Sequence, residues 1–315
     1  NGLMTGVMYS LVALGFVLIF KASGIFNYAQ GVMALFAAMT LVGIQEGRVP
    51  FSHLINAIFG TEIYDFGWDV PALLAILLTV LVMVGFAFFV QKVIFKHLVG
   101  QEPIILFMAT IGLAYFLEGV ADLMWGSEIR TLDVGLPQGI NLAIDETTFN
   151  WFGYGFFIDN LDIVATIVAA VLVAGLVAFA QYTKQGRAMR AVADDHQAAL
   201  SVGISLNFVW ILVWSLAGFV ALVAGIMWGA KSGVQFSLSL IALKALPVLM
   251  LGGFTSIPGA IVGGLIIGVG EALFEFSVGP LIGGATENWF AYVLALLFLV
   301  FRPQGLFGEK IIERV

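Results

Sequence analysis

The sequence predicts an all-α membrane protein, a polytopic helical bundle of about eight or nine transmembrane helices with one polar segment at the membrane surface. Three observations lead there. Of 315 residues, 61% are hydrophobic and only 10% charged, and the mean hydropathy is +1.06, far above that of a soluble globular domain. Apolar runs long enough to cross a bilayer recur along the whole sequence. Residues 182–206 form the longest strongly polar stretch flanked directly by such runs, with Lys184, Arg187 and Arg190 ahead of Asp194 and Asp195. The chain, 1–315, reads as a single transmembrane domain.

Taken in order, 3–20 is a nearly unbroken apolar run. No Lys or Arg precedes it, no small-residue cleavage site follows it cleanly, and Lys21 comes after it, so it reads as a first span with an outer N-terminus, not a signal peptide. The lack of an initiator Met suggests that a few residues precede it. The second span is 28–44, followed by a polar outer loop, 45–69, with Glu46, Glu62, Asp65 and Asp69. The third is 70–91 and the fourth 103–125. Residues 126–162 form a long acidic connection containing aromatics. Spans follow at 163–181, 207–228, 236–254, 257–278 and 288–301. Pro247 is a possible break in the seventh, and short Gly-rich stretches could be re-entrant.

Charge placement orients these spans. With 182–206 cytoplasmic, Lys21, Lys92, Lys96, Lys184, Arg187, Arg190, Arg302, Lys310 and Arg314 share one side, against Arg48, Arg130 and Lys231 on the other. That is the positive-inside pattern, N-terminus out and C-terminus in. Within the spans, Glu118 and Asp122 are four apart, as are Glu271 and Glu275, so each pair shares a helix face. Lys244 lies three residues before Pro247. A charge at the bilayer centre costs about 2.5 to 3.5 kcal/mol, so such groups face a cavity, a partner or the interface. Asp122 and Glu275 sit close enough to outer helix ends to reach water. Glu118 and Lys244 are the stronger functional candidates.

In the polar segment, a helix from Gly186 to Asp194 places Met189, Val192 and Ala193 on one face and Arg187, Arg190 and Asp194 on the other. Asp195 then caps a second short helix, HQAALSV, closed by Gly203. This is either a structured platform or an ordinary solvated loop. Near the end, Gly259 and Gly263, and Gly264 and Gly268, recur at the i, i+4 spacing that lets membrane helices approach closely, with Ser256 as N-cap and Pro258 in the first turn.

Several functions are excluded. With no cysteine, disulfides and thiolate metal sites are ruled out, and His53, His97 and His196 lie far apart, so no metal site is expected. A net charge of −7 and no basic stripe argue against nucleic acid. GIMWGAKS, 225–232, imitates a phosphate-binding loop, but Ala230 stands where a glycine is required. No GxSxG, HExxH or other catalytic constellation is present, so the chain is read as having no catalytic residues.

Three segments carry a family resemblance: NGLMTGVMYSLVALGFVLIFKASGIFNYAQG at the start, QGRAMRAVADDHQAALSVGI in the middle and KALPVLMLGGFTSIPGAIVGG towards the end. In this order they resemble the hallmark segments of permeases of branched-chain amino acid ABC importers, the LivH type. The resemblance implies a multi-pass permease of the bacterial inner membrane that takes up branched-chain or related amino acids. It also implies partners: a second homologous permease, two cytoplasmic ATPases that hold ATP and Mg, a periplasmic solute-binding protein, and membrane lipid. Gly186 to Gly203 would be the coupling helix, with Arg187, Arg190, Asp194 and Asp195 as contacts to the ATPase. The binding protein would dock on loops 45–69 and 126–162. Gln30, in NYAQG, stands where many relatives have histidine, which leaves the exact substrate open.

For the path itself, the polar residues on apolar helices are the candidates: Tyr9, Asn27, Gln30, Thr110, Glu118 and Lys244. Each could equally be a helix–helix hydrogen-bonding group. Related permeases handle urea, short amides or aromatic acids, which keeps those substrates as alternatives. An ion-coupled secondary transporter using the buried charges would require inverted repeats, and a passive channel a paired pore motif; neither is evident.

Overall fold

The structure, a computed structural model, describes residues 2–60, 62–98, 101–137, 139 and 159–308. Six stretches are long and apolar enough to cross a membrane. They are α1 (Gly2–Ser23), α4 (Ala72–Phe89) with the tighter and wider turns that carry it to His97, α5 (Pro103–Trp125), α6 (Asn160–Tyr182), α9 (Leu206–Ser232) and α11 (Ile257–Ser277). Shorter apolar helices complete the bundle: α2 (Gln30–Gln45), α10 (Ile241–Gly252), entered through a 3-10 turn at Phe236–Leu240, and α13 (Phe290–Phe301). α3 (Ser52–Phe59) and α12 (Gly279–Ile282) are outer-loop helices, while α7 (Lys184–Asp194) and α8 (His196–Ser201) make up the polar segment.

Local chemistry sets the helix starts. The hydroxyls of Ser205 and Ser256 accept from the backbone N–H of Phe208 and Gly259, at 3.3 and 3.0 Å, and Asp159 accepts from Leu161 at 3.0 Å. Each satisfies an N–H that has no partner within its helix.

α1 sits at the centre, touching α6, α9, α10 and α11. Its contact with α11 is built from missing side chains. A Cβ on Gly264 would strike Ser10 and lie 2.6 Å from the Gly6 carbonyl oxygen; one on Gly268 would collide with the backbone of Gly2 and Gly6. Gly259 and Gly263 turn the other way, where a Cβ would meet Gly252 and, at 2.6 Å, the Val248 carbonyl of α10. The two small-residue pairs therefore seat α11 against two neighbours at once, which lets backbones approach at van der Waals distance.

Four expectations need correction. The second span starts two residues later than expected, at Gln30, because Gly24 (φ 69°) ends α1 and residues 24–27 run without regular structure inside the bundle. The third continues past Gln91: Gln91 is buried, donating to Asn207 at 3.3 Å, and Phe95 stacks on Trp214 at 5.0 Å, which draws the tail inward. The seventh is not broken by Pro247, which lies inside α10. Loop 45–69 contains α3, whose Ile58 and Phe59 are exposed, so it is not uniformly polar. Loop residues 140–158, with Lys310 and Arg314, fall outside the described residues.

Candidate functional site

The polar segment folds into a capped two-helix platform. Thr183, at the N-cap of α7, accepts from Gly186 N–H at 2.9 Å; Asp195 accepts from the N–H groups of Gln197 and Ala198 at 2.7 and 3.0 Å and so starts α8. Gly203 follows at φ 84°, in the left-handed region that favours glycine. Gly186, Met189 and Val192 are buried, whereas Arg187, Arg190, Asp194 and Asp195 are exposed. The buried face of α7 meets α1, α6 and α9. A Cβ at Gly186 would lie 2.5 Å from the Cα of Ala180, so the platform is keyed tightly onto the end of α6.

Three candidate path residues form a separate polar knot. Asn27 donates to Gln30 Oε1 at 3.2 Å and accepts from Ala29 N–H at 3.2 Å; Gln30 donates to the Ala217 carbonyl at 3.4 Å. Thr110 accepts from Tyr28 N–H at 3.1 Å and donates to the Phe107 carbonyl at 2.8 Å. All three side chains are buried. Two of their bonds, Ala29 N–H to Asn27 and Tyr28 N–H to Thr110, satisfy backbone groups that the break between α1 and α2 leaves without helical partners. None of the three lines the clefts formed by the other candidates.

Those clefts lie side by side. One, of about 150 Å³, is lined by Tyr28, Tyr115, Glu118, Ser239, Leu240 and Leu243 among others. The second, of about 360 Å³, is lined by Thr5, Tyr9, Trp228, Lys231, Ser237, Leu240, Ile241, Lys244 and Glu287, with Leu240 shared between them. Behind its wall the Tyr9 hydroxyl donates to Glu271 Oε2 at 3.1 Å, and the Tyr9 ring stacks on Trp228 at 5.9 Å. Lys244 Nζ lies 5.9 Å from the centre of the same ring. Lys231, in the last turn of α9, is paired at 2.9 Å with Asp162, which is only 4% exposed. Further out, Arg130 bonds the Trp125 carbonyl and sits 3.7 Å from Glu46, and burial draws its guanidinium below its ordinary pKa.

The family described as "Branched-chain amino acid transport system / permease component" matches residues 1–302. The chain belongs to that family. The permease is 28% identical to the high-affinity branched-chain amino acid transport system permease protein BraD of Pseudomonas aeruginosa, across 100% of this chain and 96% of the relative. It is 26% identical to the corresponding permease protein LivH of Escherichia coli K12, again across 100% and 96%. A probable branched-chain amino acid transport permease protein LivH of Methanocaldococcus jannaschii is 28% identical, across 95% and 88%.

Sequence reasoning underrated Glu271 and passed over Tyr28, Trp228 and Asp162. Glu271 was visible as a carboxylate in an apolar run. Its partner Tyr9 lies 262 positions away, however, and no local spacing connects them. Glu275, its companion on the same face, accepts from Thr286 N–H at 2.7 Å and closes the outer loop.

Proposed function

We propose that this permease is the transmembrane subunit of an ATP-driven importer that receives branched-chain or related amino acids from a solute-binding protein. In this reading it works beside a second homologous permease and two cytoplasmic ATPases, which hold the ATP and Mg. Full-length similarity to branched-chain amino acid permeases supports the substrate class and disfavours urea, amides and aromatic acids. The observation that carries the mechanism is the platform itself: a rigid, capped, exposed polar surface whose buried face rests on α1 and α9.

Closure of the ATPases would push on Arg187, Arg190, Asp194 and Asp195. Because Met189 and Val192 are buried, that displacement passes to the core helices rather than being absorbed in a loop. Coupling is mechanical. A substrate biases the cycle only through unequal affinity for its states, so the path must bind it weakly and the soluble receptor supplies selectivity. Glu118, Tyr9 and Lys244 are assigned to the path; Asn27, Gln30 and Thr110 hold the α1–α2 break that borders it.

The test is extraction of the tagged protein from native membranes in mild detergent, followed by mass spectrometry of what stays bound. Recovery of two ATPases and a second permease is expected. Recovery of this chain alone, with uptake independent of ATP, would overturn the proposal.

A further inference from the structure

The 360 Å³ cleft combines features that a general polar groove lacks. It holds two cations, and they are not equivalent. Lys231 is committed to the buried Asp162, whereas Lys244 makes no close ion pair among the described residues: its Nζ lies over the face of Tyr9, whose hydroxyl holds Glu271, the buried carboxylate within reach of the Lys244 charge. Beside it the indole Nε1 of Trp228 is buried and has no hydrogen-bond partner among the described residues. An orphaned donor of that kind costs free energy unless a ligand or water meets it. The lining also carries one carboxylate, Glu287, which is exposed. Leu240, Ile241 and the Trp228 ring supply an apolar wall. The volume is at the low end of the range of about 300–1,000 Å³ typical of small-molecule sites, which suits a ligand of few atoms.

A cation, an unsatisfied N–H donor, a carboxylate and an apolar wall lining one cleft match one ligand chemistry: a zwitterion with a short hydrocarbon side chain. Resting on the reading of this chain as an amino-acid permease, we propose that the cleft is a transient subsite for a free apolar α-amino acid on its way inward. Lys244 and Trp228 Nε1 take the α-carboxylate, Glu287 takes the α-ammonium, and Leu240 and Ile241 receive the side chain. The substrate is then held by two opposite charges, an arrangement that discriminates zwitterions from singly charged analogues.

The chain has no cysteine, so an introduced thiol is unique on it, and the complex without the substitution supplies the labelling background of the partner subunits. Ser237→Cys, in the assembled complex reconstituted in vesicles, is labelled from the outside with a charged methanethiosulfonate while leucine is titrated. Leucine is expected to slow labelling, whereas 4-methylpentanoate, lacking the ammonium, and isopentylamine, lacking the carboxylate, are not. Adding Lys244→Gln should raise the leucine concentration for half-protection by about tenfold or more, the loss expected for one charged hydrogen bond, and Lys244→Arg should restore most of it. The inference is overturned by equal protection from isopentylamine, by unchanged protection in Lys244→Gln, or by no protection in a complex that still imports leucine. A complex with Lys244 intact that imports no amino acid from its loaded binding protein overturns instead the functional reading beneath it.

Discussion

Gly264→Ala tests the α1–α11 contact directly. Its Cβ would lie 2.6 Å from the Gly6 carbonyl oxygen, where ordinary contact begins at 3.4 Å, so the helices must separate by about 0.8 Å. Overpacking of this size costs about 1–3 kcal/mol. The same movement stretches two bonds across the interface, Ser10 to the Ala260 carbonyl at 3.2 Å and Tyr9 to Glu271 at 3.1 Å. Interhelical bonds in membranes are worth about 0.6 kcal/mol each, and the alanine's helix propensity returns up to about 1 kcal/mol, which leaves a loss of about 1–3 kcal/mol. Gly112→Ala is the internal control, since nothing lies within 4 Å of its added Cβ and helix propensity favours the change by up to about 1 kcal/mol. Thermal unfolding in detergent should show Gly264→Ala several degrees below the parent and Gly112→Ala at or above it. Equal midpoints for the parent and Gly264→Ala, or a comparable drop in Gly112→Ala, would refute the close-packing argument.

Other substitutions probe the remaining features. Arg190→Glu reverses an exposed platform charge and should abolish ATP hydrolysis stimulated by the permease while gel filtration still shows a folded protein; normal stimulation would remove this arginine from the coupling surface. Glu118→Gln should change the uptake rate with assembly intact, and unchanged uptake would return the residue to a structural role. Lys231→Met leaves Asp162 buried without its cation. Because Lys231 is about one-third exposed, the loss should be about 1–3 kcal/mol, below that for a fully buried pair, and adding Asp162→Asn should recover part of it in a double-mutant cycle.

What could be read from sequence follows the range of the interactions. Thr183 was not singled out, but Asp195 and Gly203 were, because a cap or a left-handed turn is decided within three or four residues. The amphipathic face of α7 was visible for the same reason. The spacing of Gly259, Gly263, Gly264 and Gly268 indicated close packing yet gave no partner; α10 and α1 emerge only in three dimensions. Asn27, Gln30 and Thr110 stood out as polar residues in apolar surroundings, which is equally the pattern of a path and of a backbone break that needs bonding partners. Lys231 and Asp162 were placed in separate outer regions, and their pairing across 69 positions had no local signal.

The central position of α1 bears on how the chain reaches its folded state. Its partners on α11 are made late: Ser10 reaches Ala260, 250 positions later, and Tyr9 waits for Glu271. At about 5–20 residues per second, roughly 10–50 s of synthesis separate the first helix from the surface that will cover it. During that interval a helix with 72% of its most apolar window destined for the interior must rest against lipid or the insertion machinery, with its Tyr9 hydroxyl lacking Glu271 while Ser10 bonds the Gly6 carbonyl of its own helix at 2.8 Å. The low-polarity stretch from Leu11 to Phe20 makes that wait tolerable, and the glycines that later admit α11 keep one face free of bulk until it arrives.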